Sequence, residues 1–336
     1  MTDEKKTPLR FGIVGCGMIA DFHAKALESV SDATLVGVTD VNPASARSFA
    51  EKHGISAYES YGQMLDDETI DAVCICTPSG YHAELAKAAL LAGKHVAVEK
   101  PIAMTVSEAD EVIETAKKSG RLLSVIAQLR FSHDAVRLKE AVQGGFLGKI
   151  RFCNLSMKYW RDESYYSGSP WKGSRRLDGG VLMNQGIHGV DLLLHLFGGA
   201  SVIGSVTERM YHRIESPDTA LALLRYEGGA LGTLEATTAA FPGYDMELEI
   251  IGEKGHAIFS QERLTSLCIE GEEQIRTHAE RTIGTASDPA AVGWKNHALQ
   301  FENFVSAIRG NASLAVSGED GRAAVALISD IYREQI

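Results

Sequence analysis

The segment that most constrains this chain is an apolar run that breaks into glycines and then opens a helix-like stretch: Phe11-Gly-Ile-Val-Gly15-Cys-Gly17-Met18-Ile19-Ala20. Its spacing is G-x-G-x-x-A, at Gly15, Gly17 and Ala20. In a dinucleotide-binding βαβ unit the first glycine makes the tight turn and the second lets the backbone approach a pyrophosphate. The third position needs only a small residue, so that helix and strand pack closely. The following helix then aims its N-terminal amides and positive dipole end at the phosphates. The context fits: Leu9–Val14 reads as a buried strand, 18–30 as a helix, and Ala33–Thr39 as a second strand ending in Asp40. An acidic residue there, about twenty positions past the glycines, is placed to accept hydrogen bonds from an adenosine ribose, and it repels a 2′-phosphate. NAD is favoured over NADP, and Arg47 keeps some NADP use open.

At 336 residues the chain suits two domains. Hydrophobic content of 45% and charged content of 23% describe an ordinary globular protein. No apolar run approaches a membrane span, and the start, Met-Thr-Asp-Glu-Lys-Lys, lacks the apolar core of a signal peptide, so a cytoplasmic location is expected. A net charge of −11 and a pI near 5.5 argue against a nucleic-acid partner. The five cysteines, Cys16, Cys74, Cys76, Cys153 and Cys268, are odd in number and fall mostly within apolar runs. They read as reduced, small hydrophobes. Cys74 and Cys76 should share one strand face, yet C-x-C without a second pair or a nearby histidine is a poor metal site, and no metal is expected.

Residues 1–8 are polar and read as a frayed leader. Pro43–His53 reads as a helix with proline in its first turn and Gly54 as its stop. Residues 71–76 form a third strand ending in Thr77-Pro78-Ser79, at the carboxyl edge where open α/β sheets bind ligands. A helix over 79–92 is predicted, capped by Ser79 and closed by Gly93. The strand His95–Val98 runs into Glu99-Lys100-Pro101. A second capped helix begins at Ser107-Glu108, followed by a strand over 122–127 and a helix over about 132–142. Strand and helix alternate, as a doubly wound parallel sheet requires. The nucleotide-binding domain is therefore set at 1–128. The remainder, 129–336, is an α+β domain for substrate binding and oligomerisation, with C-terminal helices able to pack back on the first domain. In it, runs at 149–159, 220–226, 229–239, 246–251 and 256–260, joined by Gly-rich turns, predict a mostly antiparallel sheet. Helices over 182–197, 297–309 and Gly318–Arg333 accompany that sheet.

Several residues could carry chemistry. Lys100 follows a buried strand at the same sheet edge as the glycine loop, flanked by Glu99 and held by Pro101. There it can titrate, or stay charged and donate to a substrate oxygen. His188 follows Gly179-Gly180, glycines that let a helix start approach a ligand, and Asn184 lies four residues before it, hence on one helix face. Histidine suits alcohol oxidation because its pKa lies near working pH, so it can take a hydroxyl proton as hydride leaves carbon. The loop from Tyr159-Trp160-Arg161 through Tyr165-Tyr166 to Trp171-Lys172-Gly173 and Arg175-Arg176 gathers aromatics and cations in an acidic protein. Aromatic faces bind apolar sugar faces or bases, and cations bind phosphate or carboxylate.

With Glu99-Lys100-Pro101, the Gly15/Gly17 loop before it and the Gly179-Gly180…His188 helix after it, the chain resembles the glucose-fructose oxidoreductase/inositol dehydrogenase/MocA family over about residues 9–330. The resemblance implies an N-terminal Rossmann domain and a C-terminal α+β domain with a large open-faced sheet, commonly used for dimer or tetramer contacts. It also implies hydride transfer between a sugar or polyol carbon and NAD(P), with the lysine at Lys100 and the histidine at His188 as catalytic residues. Many members have aspartate where Asn184 stands; an amide cannot take a proton, so the base role shifts to His188 or Lys100. The segment Tyr165-Tyr166…Trp171-Lys172-Gly173…Asp178-Gly179-Gly180…Met183-Asn184-Gln185…His188…Asp191 looks like the branch that oxidises the 3-hydroxyl of UDP-N-acetylglucosaminuronate. That branch usually shows Trp-Arg-Gly and a tyrosine after the histidine, where this chain has Lys172 and Gly189.

The cofactor set is thus Gly15, Gly17, Met18, Ile19, Ala20, Asp40, Thr77, Pro78, Ser79, His82, Glu99 and Lys100. The substrate set is Tyr159, Arg161, Trp171, Lys172, Asn184, Gln185 and His188. The alternatives are a dehydrogenase of a free polyol or aldose, and a non-enzymatic NAD-binding regulator, which would need neither Lys100 nor His188.

Overall fold

The computed structural model describes residues 7–260, 262–271, 275–276 and 293–334, and within them no helix is long and apolar enough to cross a membrane. The chain divides into two compact units, and the division is not a single cut. The first takes residues up to Ala103, then Ser107–Gln128 and Gly293–Arg322; the second takes Met104–Val106, Leu129–Val292 and the rest from Ala323. Residues 293–322 group with the first unit, where their apolar side chains join its core.

The first unit is built on strands β1 (Leu9–Val14), β2 (Ala33–Thr39), β3 (Ser56–Ala57), β4 (Ala72–Ile75), β5 (His95–Val98) and β6 (Leu123–Val125). They form one parallel sheet in the order β3-β2-β1-β4-β5-β6. Strand β4 is buried along its whole length, as a sheet covered on both faces requires. Helices α1 (Met18–Ser29), α2 (Pro43–His53), α3 (Tyr61–Asp66), α4 (His82–Leu91) and α5 (Val106–Ser119) connect the strands. Local chemistry sets their ends. Asn42 caps α2 by accepting from Ala44 N at 3.0 Å, Pro43 opens the helix, and Gly54 closes it at φ 66°.

The helix Lys295–Ile308 packs Phe301 and Phe304 edge-on against Phe11 of β1, with ring centroids 6.1 and 6.3 Å apart. Each such fully buried ring contributes about 1.5–3 kcal/mol. Gln300 of the same helix accepts from Ala127 N at 3.0 Å and donates to Val125 O at 2.8 Å, closing the end of the edge strand β6.

Two boundaries differ from expectation. Residues Ser79–Tyr81 form a 3-10 turn closed by Tyr81 N on Pro78 O at 3.0 Å, and α4 starts only at His82. Ser79 is buried and makes no cap bond. The helix α5 begins at Val106, one residue before Ser107.

The second unit contains α6 (His133–Gln143), β7 (Ile150–Lys158), α7 (Glu163–Ser167), α8 (Ile187–Phe197), β8 (Ala200–Glu208), β9 (Thr219–Tyr226), β10 (Leu231–Thr237), β11 (Glu247–Gly252), β12 (Gly255–Ser260), β13 (Arg263–Ile269) and β14 (Ile275–Arg276). The helix Gly318–Arg333 enters this unit at Ala323. Its sheet has eight strands in the order β14-β13-β12-β11-β7-β10-β9-β8, antiparallel except for the β7–β10 pair. Strict alternation of buried and exposed residues along β9 shows one covered face and one open face. The covered face meets α8, where a Cβ on Gly189 would stand 2.8 Å from Leu155 Cδ2 and 2.9 Å from Met157 Sδ of β7, so helix and sheet approach closely there. Strand β13 has no clean alternation in the sequence, and its register against β12 shifts between Ile258 and Phe259.

Candidate active site

In the first unit the strand order reverses between β1 and β4, and the residues of interest leave the carboxyl ends of β1, β4 and β5. That is where open parallel sheets bind ligands. Gly15 has φ +93°, and a Cβ there would lie 2.8 Å from Cys76 O, so the turn tolerates only glycine. Gly17 precedes α1, and a Cβ on it would meet nothing within 4 Å, so open space lies before the helix start. Ala20 is fully buried, Ile19 half-buried and Met18 exposed. Asp40 accepts from Cys16 N and from Asn42 N, both at 2.8 Å, which ties the glycine loop to the end of β2. A carboxylate has about four acceptor positions, so this one keeps capacity for ribose hydroxyls. A glycine cradle, a free helix N-terminus and a half-buried carboxylate together fit a dinucleotide.

Beneath this edge lies a polar network. Glu99, 5% exposed, accepts from His23 Nε2 at 2.8 Å and from Lys100 N at 3.2 Å. Burial pushes its carboxyl upward, but the His23 hydrogen bond and the charges of His23, Lys100 and His297 outweigh it and hold the pKa at about 2. Burial pushes His297 the other way, to about 4. Lys100 is half-buried and joined to Pro101 by a cis peptide bond.

The ligand atoms of His23, Glu99 and His297 lie within 4.8 Å of one another. A reading based on cysteine spacing alone could not see that group. Cys76 Sγ stands 3.5 Å from His23 Nδ1, so a histidine does lie near the C-x-C segment once the chain is folded. Burial raises the thiol pKa of Cys74 and Cys76, as of Cys153, consistent with inert hydrophobes. His82, 1% exposed, turns both ring nitrogens onto backbone carbonyls, so it offers its polar atoms to the turns rather than to a ligand.

The second unit gathers most of the proposed substrate residues around a carboxylate that spacing alone did not single out. Asp178, 2% exposed, accepts from Gly173 N at 2.9 Å and also from the Asn184 side chain. Gln185 donates to Tyr165 Oη at 3.2 Å. The Tyr165 ring faces two cations: Lys172 Nζ lies 3.6 Å from its centroid and the Arg161 guanidinium 5.3 Å. Arg161 also lies 5.6 Å from the Tyr159 ring and donates to Trp160 O at 2.8 Å. Burial pulls the Lys172 ammonium below its ordinary value; Asp178 opposes the shift and Arg161 reinforces it. Trp171 is half-buried on the same loop.

Arg175 and Arg176 do not join this cluster. Both are exposed, and Arg175 donates to Glu215 O at 3.2 Å. Residues Leu182–Gly186 form a π turn rather than the first turn of an α-helix, and His188 is the second residue of α8, half-buried. The Asn184 amide donates to Asp178. Buried Asp191 on α8 takes a bidentate bond from Arg130, at 2.7 and 2.8 Å, which fixes this helix in its unit. The only prior signal for Asp178 was its place before Gly179-Gly180.

Residues 9–127 match the oxidoreductase family with an NAD-binding Rossmann fold, and residues 139–335 match the C-terminal alpha/beta domain of the same family. Myo-inositol 2-dehydrogenase of Thermotoga maritima is 30% identical over 95% of this chain and 94% of its own length. D-glucoside 3-dehydrogenase of Escherichia coli is 27% identical over 97% and 95%. The WlbA dehydrogenase of Bordetella pertussis, solved with NADH and UDP-GlcNAcA, superimposes with a TM-score of 0.86 at 30% identity, covering 97% of this chain and 96% of that one. With both halves matched in order and the glycine loop in place, this chain belongs to the Gfo/Idh/MocA family of oxidoreductases and carries its NAD-binding Rossmann domain.

Proposed function

We propose that this NAD-dependent dehydrogenase oxidises a ring hydroxyl of an anionic nucleotide sugar, the 3-hydroxyl of a UDP-N-acetylhexosaminuronate. The observation that carries this reading is the pair of cations, Arg161 and Lys172, converging on the Tyr165 ring beside Asn184 and Gln185. Cations set against aromatic faces suit a ligand that carries both an apolar sugar face or base and a phosphate or uronate carboxylate. The likeness to the WlbA dehydrogenase supports the same substrate class.

Bound NAD supplies the hydride acceptor, and Asp40 at the ribose end favours NAD over NADP. Gly15, Gly17 and the start of α1 would hold the pyrophosphate, and the Thr77-Pro78-Ser79 and Glu99-Lys100 turns would hold the nicotinamide end. Lys100 is assigned to polarise and position the substrate oxygen and His188 to accept the hydroxyl proton as hydride leaves the carbon, and the two roles can be exchanged. Asn184 orients the substrate and takes no proton.

The experiment is to add UDP-N-acetylglucosaminuronate to the NAD-loaded protein and follow reduced-nicotinamide absorbance, with myo-inositol and free aldoses in parallel. Reduction by the nucleotide sugar alone supports the reading. Equal or preferred turnover of myo-inositol replaces it with a free-polyol dehydrogenase, which the 30% identity to the Thermotoga enzyme favours. Tight NAD binding with no turnover of any sugar leaves a regulator.

The second-unit sheet is inferred to form a homodimer or homotetramer contact. Its open face exposes Leu221 and Leu223 at 49% and 48%, and Phe152 and Ile251 at 37% and 39%. Leu221→Asp should dissociate the assembly in light scattering, and an unchanged mass would remove that face from consideration. A cytoplasmic location goes with this reading.

A further inference from the structure

His82 is the first residue of α4 and is 1% exposed. Its Nδ1 lies 2.7 Å from Pro101 O and its Nε2 lies 2.8 Å from Thr77 O. Both partners are carbonyl oxygens, which only accept. A neutral imidazole carries one N–H, so its other nitrogen would turn a lone pair onto a carbonyl at hydrogen-bonding distance. Only the imidazolium donates to both. The charged side chains that act on the ring are Glu99 and Lys100. The Glu99 carboxylate, buried in the same unit, supplies the charge that offsets a buried cation, and the charge of Lys100 opposes it.

We propose that His82 is a positioning residue, held as an imidazolium, that straps the Thr77-Pro78-Ser79 turn to the Lys100-Pro101 turn. The inference rests on the reading that Lys100 meets the substrate oxygen. The strap fixes the carbonyl of Pro101, the residue after Lys100, and the carbonyl of Thr77, which opens the other turn at the nicotinamide end. One rigid ring thereby sets the spacing of two turns that lie on different strands. Burial, reinforced by the charge of Lys100, pulls the ring's pKa below its ordinary value against the pull of the two carbonyls and Glu99, so the case for the charged ring rests on the two carbonyl contacts.

Two measurements test the strap. The first is neutron diffraction from perdeuterated crystals of the full chain with NAD at neutral pH, which requires no variant. A deuteron on each ring nitrogen of His82 is expected; a single deuteron overturns the proposal. The second is the pH profile of kcat for wild type and His82→Gln, on whichever sugar the wild type turns over. Wild type should lose turnover on a basic limb as one donor is removed. His82→Gln should be at least about tenfold slower at neutral pH and should lack that limb. A variant with the wild-type kcat and the same limb overturns the proposal, whatever its thermal stability. If no sugar is turned over by wild type, the proposed function fails, and the diffraction result still decides the protonation of the strap.

Discussion

Glu99 in the first unit and Asp178 in the second are both buried carboxylates, 5% and 2% exposed, and they differ in what answers them. Glu99 is bonded to His23 and lies near His297, a group that changes charge with pH. Asp178 is bonded to the amide of Gly173 and the side chain of Asn184, groups that do not. A buried charge needs partners in either case. The contrast teaches that the hydrogen bonds seen at Asp178 come from dipoles that do not titrate, while Glu99 lies beside an imidazole that does.

The largest expected effect tests whether the cofactor side carries chemistry as well as charge. Lys100→Met should lower kcat by about 10²- to 10⁴-fold, with NAD affinity by titration calorimetry changed only a few-fold. Near-normal turnover would remove Lys100 from the mechanism.

Next comes the acid limb of stability. A histidine whose pKa falls on folding, as His297's does from 6.5 to about 4, takes its proton only on unfolding in that window. Stability therefore drops as pH falls from about 6.5 to about 4, by up to about 3 kcal/mol. The Glu99 contribution runs lower: it is fully present above 4.5 and is lost as pH falls toward about 2. His297→Gln should flatten the slope in urea unfolding compared at pH 7 and pH 5, and an unchanged slope would break the contrast.

Asp178→Ala should cost about 1–3 kcal/mol by leaving the Gly173 amide buried without its acceptor. Because the Gly173 amide and the Asn184 side chain do not titrate, the part of the cost that they carry should be equal at pH 6 and pH 8; a strongly pH-dependent cost would put both carboxylates in one class. The smallest effect is a control on the open face. Lys158 and Glu235 pair at 2.6 Å with side chains 45% and 39% exposed. Lys158→Ala should change the unfolding free energy by less than about 1 kcal/mol, and added salt should shrink even that.

The parts of the site that could be read in advance are those written in neighbouring residues. The Gly15 turn, the start of α1 at Met18, the acid at Asp40 and the stop at Gly54 follow from local sterics and apolar periodicity. The helix start predicted at Ser79 was missed because the turn closes on Pro78 O while the His82 ring takes Thr77 O. The regular helix expected from Leu182 begins instead as a π turn over Leu182–Gly186, and Asp178, which spacing did not single out, accepts from the Asn184 amide. Arg175 sits in the same cationic loop as Lys172, yet it turns to Glu215.

From its own residues the chain determined the alternation of strand and helix, the glycine turn that opens before the start of α1, and the change from buried parallel strands to alternating antiparallel ones. Each depends on interactions within a few residues. Only the tertiary structure decided that His23 and Glu99, 76 residues apart, share a hydrogen bond, that His82 spans two turns, and that residues from Gly293 return to the first unit. The physical reason is that a buried polar group is defined by its partners, and those partners are brought together only when the sheets close over them.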